Sequence, residues 1–433
     1  MLMKRLGLDR KELRAWALYD WANSAFWSTV VSAVFPIYFA RVAASGLTPA
    51  EATTRYALST TLALALVAVF SPFLGAMADY KGAKKKFLGA FVGVGVLATA
   101  AMVFVGEGDW KLGALLFIIG NIGVTGSIVF YESLLPHVAK EDELDRVSGA
   151  GYALGYLGGA LLLALNLACI LYPETFGFAD SAAASRFSFL TVAVWWLVFS
   201  IPLFRTVPEP PRAPASGTEA GMVRASIRRV GTTLSELRTF KHAFLFLSAF
   251  LLYNDGIQTI IRMATIYGSE VGFSEGVMLS ALLLSQFIGV PCAFAFGALA
   301  ERVGPKPAIF AALVAYVGIS ILGYSLKTPF HFYLLAALVG MVQGGAQAVS
   351  RSLFARMIPR HRSSEFFAFF SVFEKFAGIF GPALFGVTVA MTGSSRSAVL
   401  SVIAFFLVGG TLLHFVDPAE GQRVARAAEA EQR

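Results

Sequence analysis

Charge is scarce in this chain: Asp, Glu, Lys and Arg make up 14% of its 433 residues, against 57% hydrophobic. A soluble globule is excluded, because too little polar surface exists to cover it. Cysteine is nearly absent. Cys169 and Cys292 both fall inside apolar runs, so they read as buried free thiols, with no disulfide framework and no zinc spacing. Five scattered histidines form no Cys/His cluster, and no phosphate-cradling loop is present. No metal or cofactor is expected, no ATP-driven step, and no enzyme. The net charge of +8 lies at the ends of apolar runs rather than in a patch, so a membrane explains it without nucleic acid. Met1 to Arg14 is basic, but the next run contains Asp20 and Asn23 and is too long and polar for a cleaved signal.

What the chain does have is long apolar runs, each suited to one bilayer crossing. Twelve are expected: 15–40, 56–78, 87–105, 112–137, 147–172, 187–205, 242–267, 276–299, 307–326, 330–357, 364–391 and 396–416. With the N-terminus inside, the inner loops and tails hold 25 Lys and Arg against six outside, so both termini are expected to be cytoplasmic. The expected fold is an all-α membrane protein of twelve transmembrane helices in two pseudo-symmetric six-helix halves. The halves occupy 1–205 and 242–416, and a polar, mobile cytoplasmic tail is expected over 417–433. Between the halves, 206–241 opens with Pro208, Pro210, Pro211 and Pro214. Val223, Ile227, Val230, Leu234 and Leu237 then recur at helical spacing beside Arg224, Arg228 and Arg229. That pattern fits either a basic amphipathic helix on the inner leaflet or a solvated linker helix.

The halves are related by duplication. Gly75-Ala-Met-Ala-Asp79-Tyr-Lys-Gly82-Ala-Lys84 recurs as Gly297-Ala-Leu-Ala-Glu301-Arg302-Val-Gly304-Pro-Lys306, at a constant offset of 222. Pro136, Gly155, Gly158, Ala160 and Leu161 meet Pro359, Gly378, Gly381, Ala383 and Leu384 at an offset of 223. An offset held over about 90 residues is an internal repeat, a known transporter architecture. The Gly-x-x-x-Asp-x-x-Gly-x-Lys loop resembles the signature between helices 2 and 3 of the major facilitator superfamily. By that resemblance Gly75 packs closely, Asp79 is the acidic anchor, Gly82 the turn glycine and Lys84 the basic position. Tyr80 and Ala83 stand where Arg is common, and Arg302 restores the first of these beside Glu301. The acidic residue is expected to cap a helix N-terminus or to pair with a basic residue in one conformer only, as a conformational latch.

Ionisable residues within apolar runs cost at least about 2.5–3.5 kcal/mol each, so they should face a cavity or a partner. Helix 1 carries Trp16, Asp20, Asn23 and Trp27 on one stripe, which fits either a cation or ammonium site or a structural Asp beside an interfacial Trp. Helix 4 carries Asn121, Thr125 and Glu132, helix 7 Asp255, Gln258 and Arg262, and helix 10 Gln343, Gln347 and Ser350 or Arg351. In the superfamily resembled, helices 1, 4, 7 and 10 line the central cavity. Helix 11 adds Glu374 and Lys375. The near balance of charge argues for pairing and for a zwitterionic or nearly neutral solute, though pure structural ion pairing remains an alternative. By depth, Asp20, Glu132 and Arg351 are candidates for a cytoplasmic gate, and Asp255 and Glu374 for proton coupling. Trp16, Asn23, Trp27, Asn121, Asp255, Gln258, Arg262, Gln343 and Gln347 are the candidates for substrate contact.

Longer motifs narrow the resemblance. Trp16-Ala-Leu-Tyr19-Asp20-Trp21-Ala-Asn23-Ser24 with Phe35-Pro36 is similar to helix 1 of the vacuole-effluxer-like branch. So are Gly344-Gly-Ala-Gln347-Ala-Val-Ser350-Arg351-Ser352, Phe373-Glu-Lys375-Phe, and Arg146-Val-Ser-Gly149 before Gly155-Tyr-Leu-Gly158. That branch implies export of amino acids. The expectation is therefore a monomeric secondary transporter in the cell (inner) membrane, whose partners are a small-molecule substrate, protons and the lipid bilayer. The open alternatives are a carrier of another amphiphile, such as a lysolipid, drug or peptide, and a non-transporting sensor on the same fold.

Overall fold

A computed structural model describes residues 2–211, 239–378, 380–392 and 395–431. The amphipathic stretch expected at 223–237 lies outside the described residues.

Ten helices follow the first ten apolar runs: α1 (Lys11–Ala43), α2 (Pro49–Lys81), α3 (Lys84–Ala101), α4 (Trp110–Ser133), α5 (Leu144–Leu171), α6 (Ser181–Thr206), α7 (Lys241–Glu270), α8 (Glu275–Val303), α9 (Pro305–Tyr324) and α10 (Pro329–Arg356). Their starts carry local signals. Thr48 and Glu51 form a reciprocal capping box with Pro49 behind it, while Asp180, Ser274 and Thr328 each accept a first-turn amide. Within α1 the backbone widens to π-helix over Phe26–Ala33 and again over Phe39–Ala43, flanking Pro36. Proline removes an intrahelical hydrogen bond, and such π-segments often mark functional stretches.

The eleventh run is not one helix. It divides into α11 (Ser363–Phe376) and α12 (Phe380–Thr392), so the expected single span 364–391 is corrected. Ala377 is extended (ψ 131°) and Gly378 has φ +96°, a conformation that favours glycine. The twelfth run is α13 (Ser395–Ser401) and α14 (Ile403–His414). Among the described residues, eleven helices are long and apolar enough to cross a membrane, with a shorter apolar helix at Ala383–Thr392. Leu97 and Val314 are 72% and 71% exposed, as side chains facing lipid would be.

Packing follows the duplication. α1 packs on α5 and α6, α7 on α14, and α8 on α10. The halves meet through α5 against α8 and α2 against α11, pairs that exchange under the repeat. In both, the first glycine of the repeated loop motif is a point of close backbone approach. A Cβ at Gly75 would meet the Ser364 carbonyl oxygen at 2.5 Å, and one at Gly297 would meet the Asp145 carbonyl oxygen at 2.9 Å. Neither position has room for a side chain.

The tail expected to be mobile is instead a helix, α15 (Pro418–Ala430). Asp417 caps it by accepting the amides of Glu420 and Ala419, which hold its carboxyl below the usual range. Gln422 and Arg426 both bond Glu141 in the α4–α5 loop, and Glu429 accepts the Arg360 amide. Near the N-terminus, the Lys4 carbonyl accepts from Arg146, which also pairs with Glu301 at 2.8 Å. Both ends of the chain therefore lie on one face, termed here the terminal face. Cys169 is buried as expected, whereas Cys292 is half-buried.

Candidate functional site

The site is a charged seam where the halves meet. At its centre Arg351, near the end of α10, reaches across to α1, α4 and α5. Its Nη1 and Nη2 donate to Asp20 Oδ2 at 3.2 and 3.3 Å, and Nη1 lies 3.8 Å from Glu132 Oε1. Nε donates to the Ser148 hydroxyl at 2.9 Å, and Nη2 to the Ser148 carbonyl at 3.0 Å. The three proposed gate residues thus stand together, and the planar fork of Arg351 is used on two sides. One carboxylate oxygen, Glu132 Oε2, is buried without a partner. Glu132 also lies within electrostatic reach of Glu374 and Lys375.

Two further clusters flank this bridge. Asp145 on α5 pairs with Arg356 at 2.7 Å and accepts from Ser352. On the other side, Asp79 accepts the backbone amides of Ser364 and Glu365 at 3.3 and 2.9 Å, capping α11, while Lys84 pairs with it at 2.7 Å. Lys84 also donates to Ser363, whose hydroxyl donates to the Ser133 carbonyl. The anchor Asp79 therefore both caps a helix N-terminus and holds a cation, and both are buried. Gly82 ends α2 in the left-handed conformation, φ +55°, which turns the chain so that Lys84 faces Asp79. The second copy differs. Glu301 pairs with Arg146 at a 37% exposed position, and Arg302 is exposed.

The candidate binding residues are dispersed. Trp27 is half-buried, with Lys375 Nζ 4.9 Å from its ring centroid, and Lys375 pairs with Glu374 at 3.1 Å. This cluster sits beside the break between α11 and α12. Arg262 is exposed near that break and donates to the Gly378 carbonyl at 3.3 Å. Gln258 and Gln347 are half-buried, and Gln343 lines a separate apolar cavity between α7, α8, α9 and α10. Asn23 and Asn121 are buried and donate to carbonyls one turn earlier in their own helices, Tyr19 and Phe117. Trp16 is wholly buried against Tyr131.

Asp255 is not placed to meet a solute. It is fully buried and accepts the amides of Gly378, Phe380 and Gly381 at 2.7, 3.0 and 3.0 Å, capping α12. Sequence reasoning could not anticipate this, because the cap exists only where the eleventh run breaks. It also passed over Asp145, at the edge of a run, and Ser148 and Tyr152. Their only signal was the small-residue entrance to α5. Among the described residues, no group of three or more His, Cys, Asp or Glu could hold a metal ion.

The described hydrogen bonds and ion pairs between the halves cluster toward the terminal face: Arg351, Asp145, Asp79, Lys84, Arg146 and Glu141 all take part. Such an arrangement can close one side of a central space while the other parts.

The chain is similar to proteins of known family. The family described as "Vacuole effluxer Atg22 like" matches residues 8–426. An MFS-type transporter of Bacillus subtilis, YxiO, is 38% identical, with 96% of each chain covered. Autophagy-related protein 22 of Pyricularia oryzae is 24% identical, over 98% of this chain and 79% of that one. Among solved structures, the major facilitator proton:xylose symporter XylE superposes with TM-score 0.72 at 16% identity, covering 98% of both chains. Human MFSD10, an organic anion transporter, gives TM-score 0.68 at 14% identity, over 93% of this chain and 99% of that one. At these identities the two structures carry the fold alone.

Proposed function

Because this chain belongs to the vacuole effluxer Atg22-like family of the major facilitator superfamily, we propose that it moves a small zwitterionic solute of the amino-acid class by alternating access. It is a multi-pass membrane transporter and not an enzyme. The observation that carries the finer reading is the pairing of two features. One is the Arg351–Asp20–Glu132 bridge between the halves near the terminal face; the other is the Trp27–Lys375–Glu374 cluster beside the helix break.

In this reading the bridge is the inner gate, closed here. The charge count of the loops supports a cytoplasmic terminal face, and the bacterial relative supports the cell membrane. Arriving from the other side, a solute offers its ammonium to Glu374 and its carboxylate to Lys375 or to the free donors of Arg262. Each exchange breaks an existing contact, so binding biases the equilibrium between conformers. Glu374 is the proposed proton carrier, because its side chain is partly exposed and its partner Lys375 is already shared with the Trp27 ring. Asp255 has no such freedom. The resemblance of the helix 1, 5 and 10 motifs to the vacuole-effluxer-like branch implies the amino-acid class, and the near balance of charge is compatible with it.

The test is counterflow of labelled amino acids into proteoliposomes, with and without a pH gradient. Saturable exchange that a pH gradient accelerates, and that Glu374→Gln uncouples from the gradient, is expected. Absence of exchange for every proteinogenic amino acid would overturn the reading. A carrier of apolar amphiphiles is the second reading. It is favoured by the apolar cavity lined by Tyr267, Met278, Phe332, Leu335 and Phe385, and lysolipid exchange in the same vesicles would establish it.

A further inference from the structure

The guanidinium of Arg351 sits inside an aromatic cage built wholly by the first half. Its central carbon lies 4.5 Å from the ring centroid of Tyr152, 4.9 Å from that of Trp16 and 5.7 Å from that of Tyr131. Two walls are held independently of the cation they face. Trp16 and Tyr131 stack at 4.6 Å with planes 19° apart, and the Trp16 indole N–H donates to the Tyr131 carbonyl at 3.0 Å. The Tyr131 hydroxyl donates to Asp20 Oδ2 at 2.8 Å and so orients the carboxylate at the cage rim. The floor is Gly151, where a Cβ would stand 2.5 Å from Asp20 Oδ2 and 3.0 Å from Arg351 Nη2. The space is shaped for a planar cation, and any side chain at 151 would fill it.

The electrostatics point the same way. Asp20 and Glu132 bring two carboxylates, and Glu132 is 3% exposed with one oxygen unpartnered. Arg351 is the cation seated between them, and it belongs to the other half. When the halves part on the terminal face, α10 carries Arg351 away. The first half then keeps three ring faces and two carboxylates with no cation in the cage. Aromatic faces around carboxylates attract organic cations, and a desolvated carboxylate left unpaired is costly.

We propose that this cage, vacated by Arg351 in the conformer open to the terminal face, binds a cationic group of the solute, a guanidinium or a primary ammonium. Arg351 is the protein's own stand-in for that group in the closed conformer. The proposal rests on the transport reading and deepens it: amino compounds with a cationic side chain are the preferred ligands at that face.

The test is binding to the purified full-length protein, read as a thermal shift, with agmatine, L-arginine and L-leucine as probes. Agmatine and L-arginine are expected to bind at concentrations at least about tenfold below L-leucine, a difference of about 1.4 kcal/mol. Tyr152→Leu should weaken agmatine by a similar factor, while Tyr152→Phe, which keeps the ring face, should stay within about twofold. Arg351→Ala, lacking the internal competitor, should tighten agmatine. Equal responses to agmatine and L-leucine in the wild type overturn the proposal without any variant. So does agmatine affinity unmoved by Tyr152→Leu. Counterflow of L-leucine that agmatine fails to inhibit would remove the cage and leave transport standing. Agmatine binding that depends on Tyr152, with no counterflow of any amino acid, would remove transport and leave the cage standing.

Discussion

At the scale of single residues, the decisive side chain is Arg351. Its Nε serves Ser148 and its two terminal nitrogens serve Asp20, so geometry matters as much as charge. Lysine gathers its donors on one nitrogen and cannot reproduce that planar spread. Arg351→Lys is therefore expected to slow counterflow at least about tenfold, and to lower stability by the 1–3 kcal/mol or so that a stranded buried polar group costs. If the arginine only reached toward the membrane interface, lysine would serve nearly as well. Near-wild-type exchange by the lysine variant would then remove the gate. Asp255 presents the opposite case. Its carboxylate meets three amides, and an amide side chain offers one acceptor oxygen and a nitrogen that would face an N–H. Asp255→Asn should lower the melting temperature while leaving the pH-gradient dependence of residual transport intact. Loss of that dependence with unchanged stability would return Asp255 to the list of proton carriers.

At the scale of elements, the repeated loop is used asymmetrically. In the first copy Asp79 is buried, caps α11 and pairs with Lys84. In the second, Glu301 reaches Arg146 near the surface, where an ion pair contributes about 0–1 kcal/mol. Asp79→Ala is expected to raise the reactivity of cysteines placed on the terminal side of the seam several-fold, with solute affinity little changed. Glu301→Ala should change the same labelling by less than about twofold. Equal effects of the two, or none from Asp79→Ala, would make the loop a structural turn rather than a latch. The α11–α12 break joins the two systems. α11 is tied to the first half through Asp79, and α12 to α7 through Asp255. Gly378 lies between an element bonded to the first half and one bonded to α7.

At the scale of the molecule, the halves are locked where glycine lets backbones touch. A Cβ at Gly149 would meet the Ala293 carbonyl oxygen at 2.8 Å, and Gly297 faces Asp145 in the same α5–α8 contact. Gly149→Leu cannot close that contact without displacing α8. It should shift the population toward the conformer open on the terminal face. Spin labels on α5 and α8 would report a longer distance distribution, and solute counterflow would slow as the closed state is lost. An unchanged distribution would mean that α5 and α8 part in neither conformer.

Much of this was legible in the chain itself. The span pattern follows from the energetics of burying a backbone in hydrocarbon, which any sufficiently long apolar run reports. The two-half plan follows from an offset of 222 that no packing is needed to see. Even the company of Arg351 was readable, since depth along α1, α4 and α10 placed Asp20, Glu132 and Arg351 at one level. Only the tertiary structure decided which oxygen meets which nitrogen, because Asp20 and Arg351 are 331 residues apart and periodicity carries no partner. It decided that Asp255 caps a broken helix, since the break depends on a carboxylate from another element as much as on Gly378. It decided that the tail docks, through Glu141, and that Tyr152 closes a cage around the guanidinium. Sequence patterns report what a residue does to its own helix, and these contacts are made between helices.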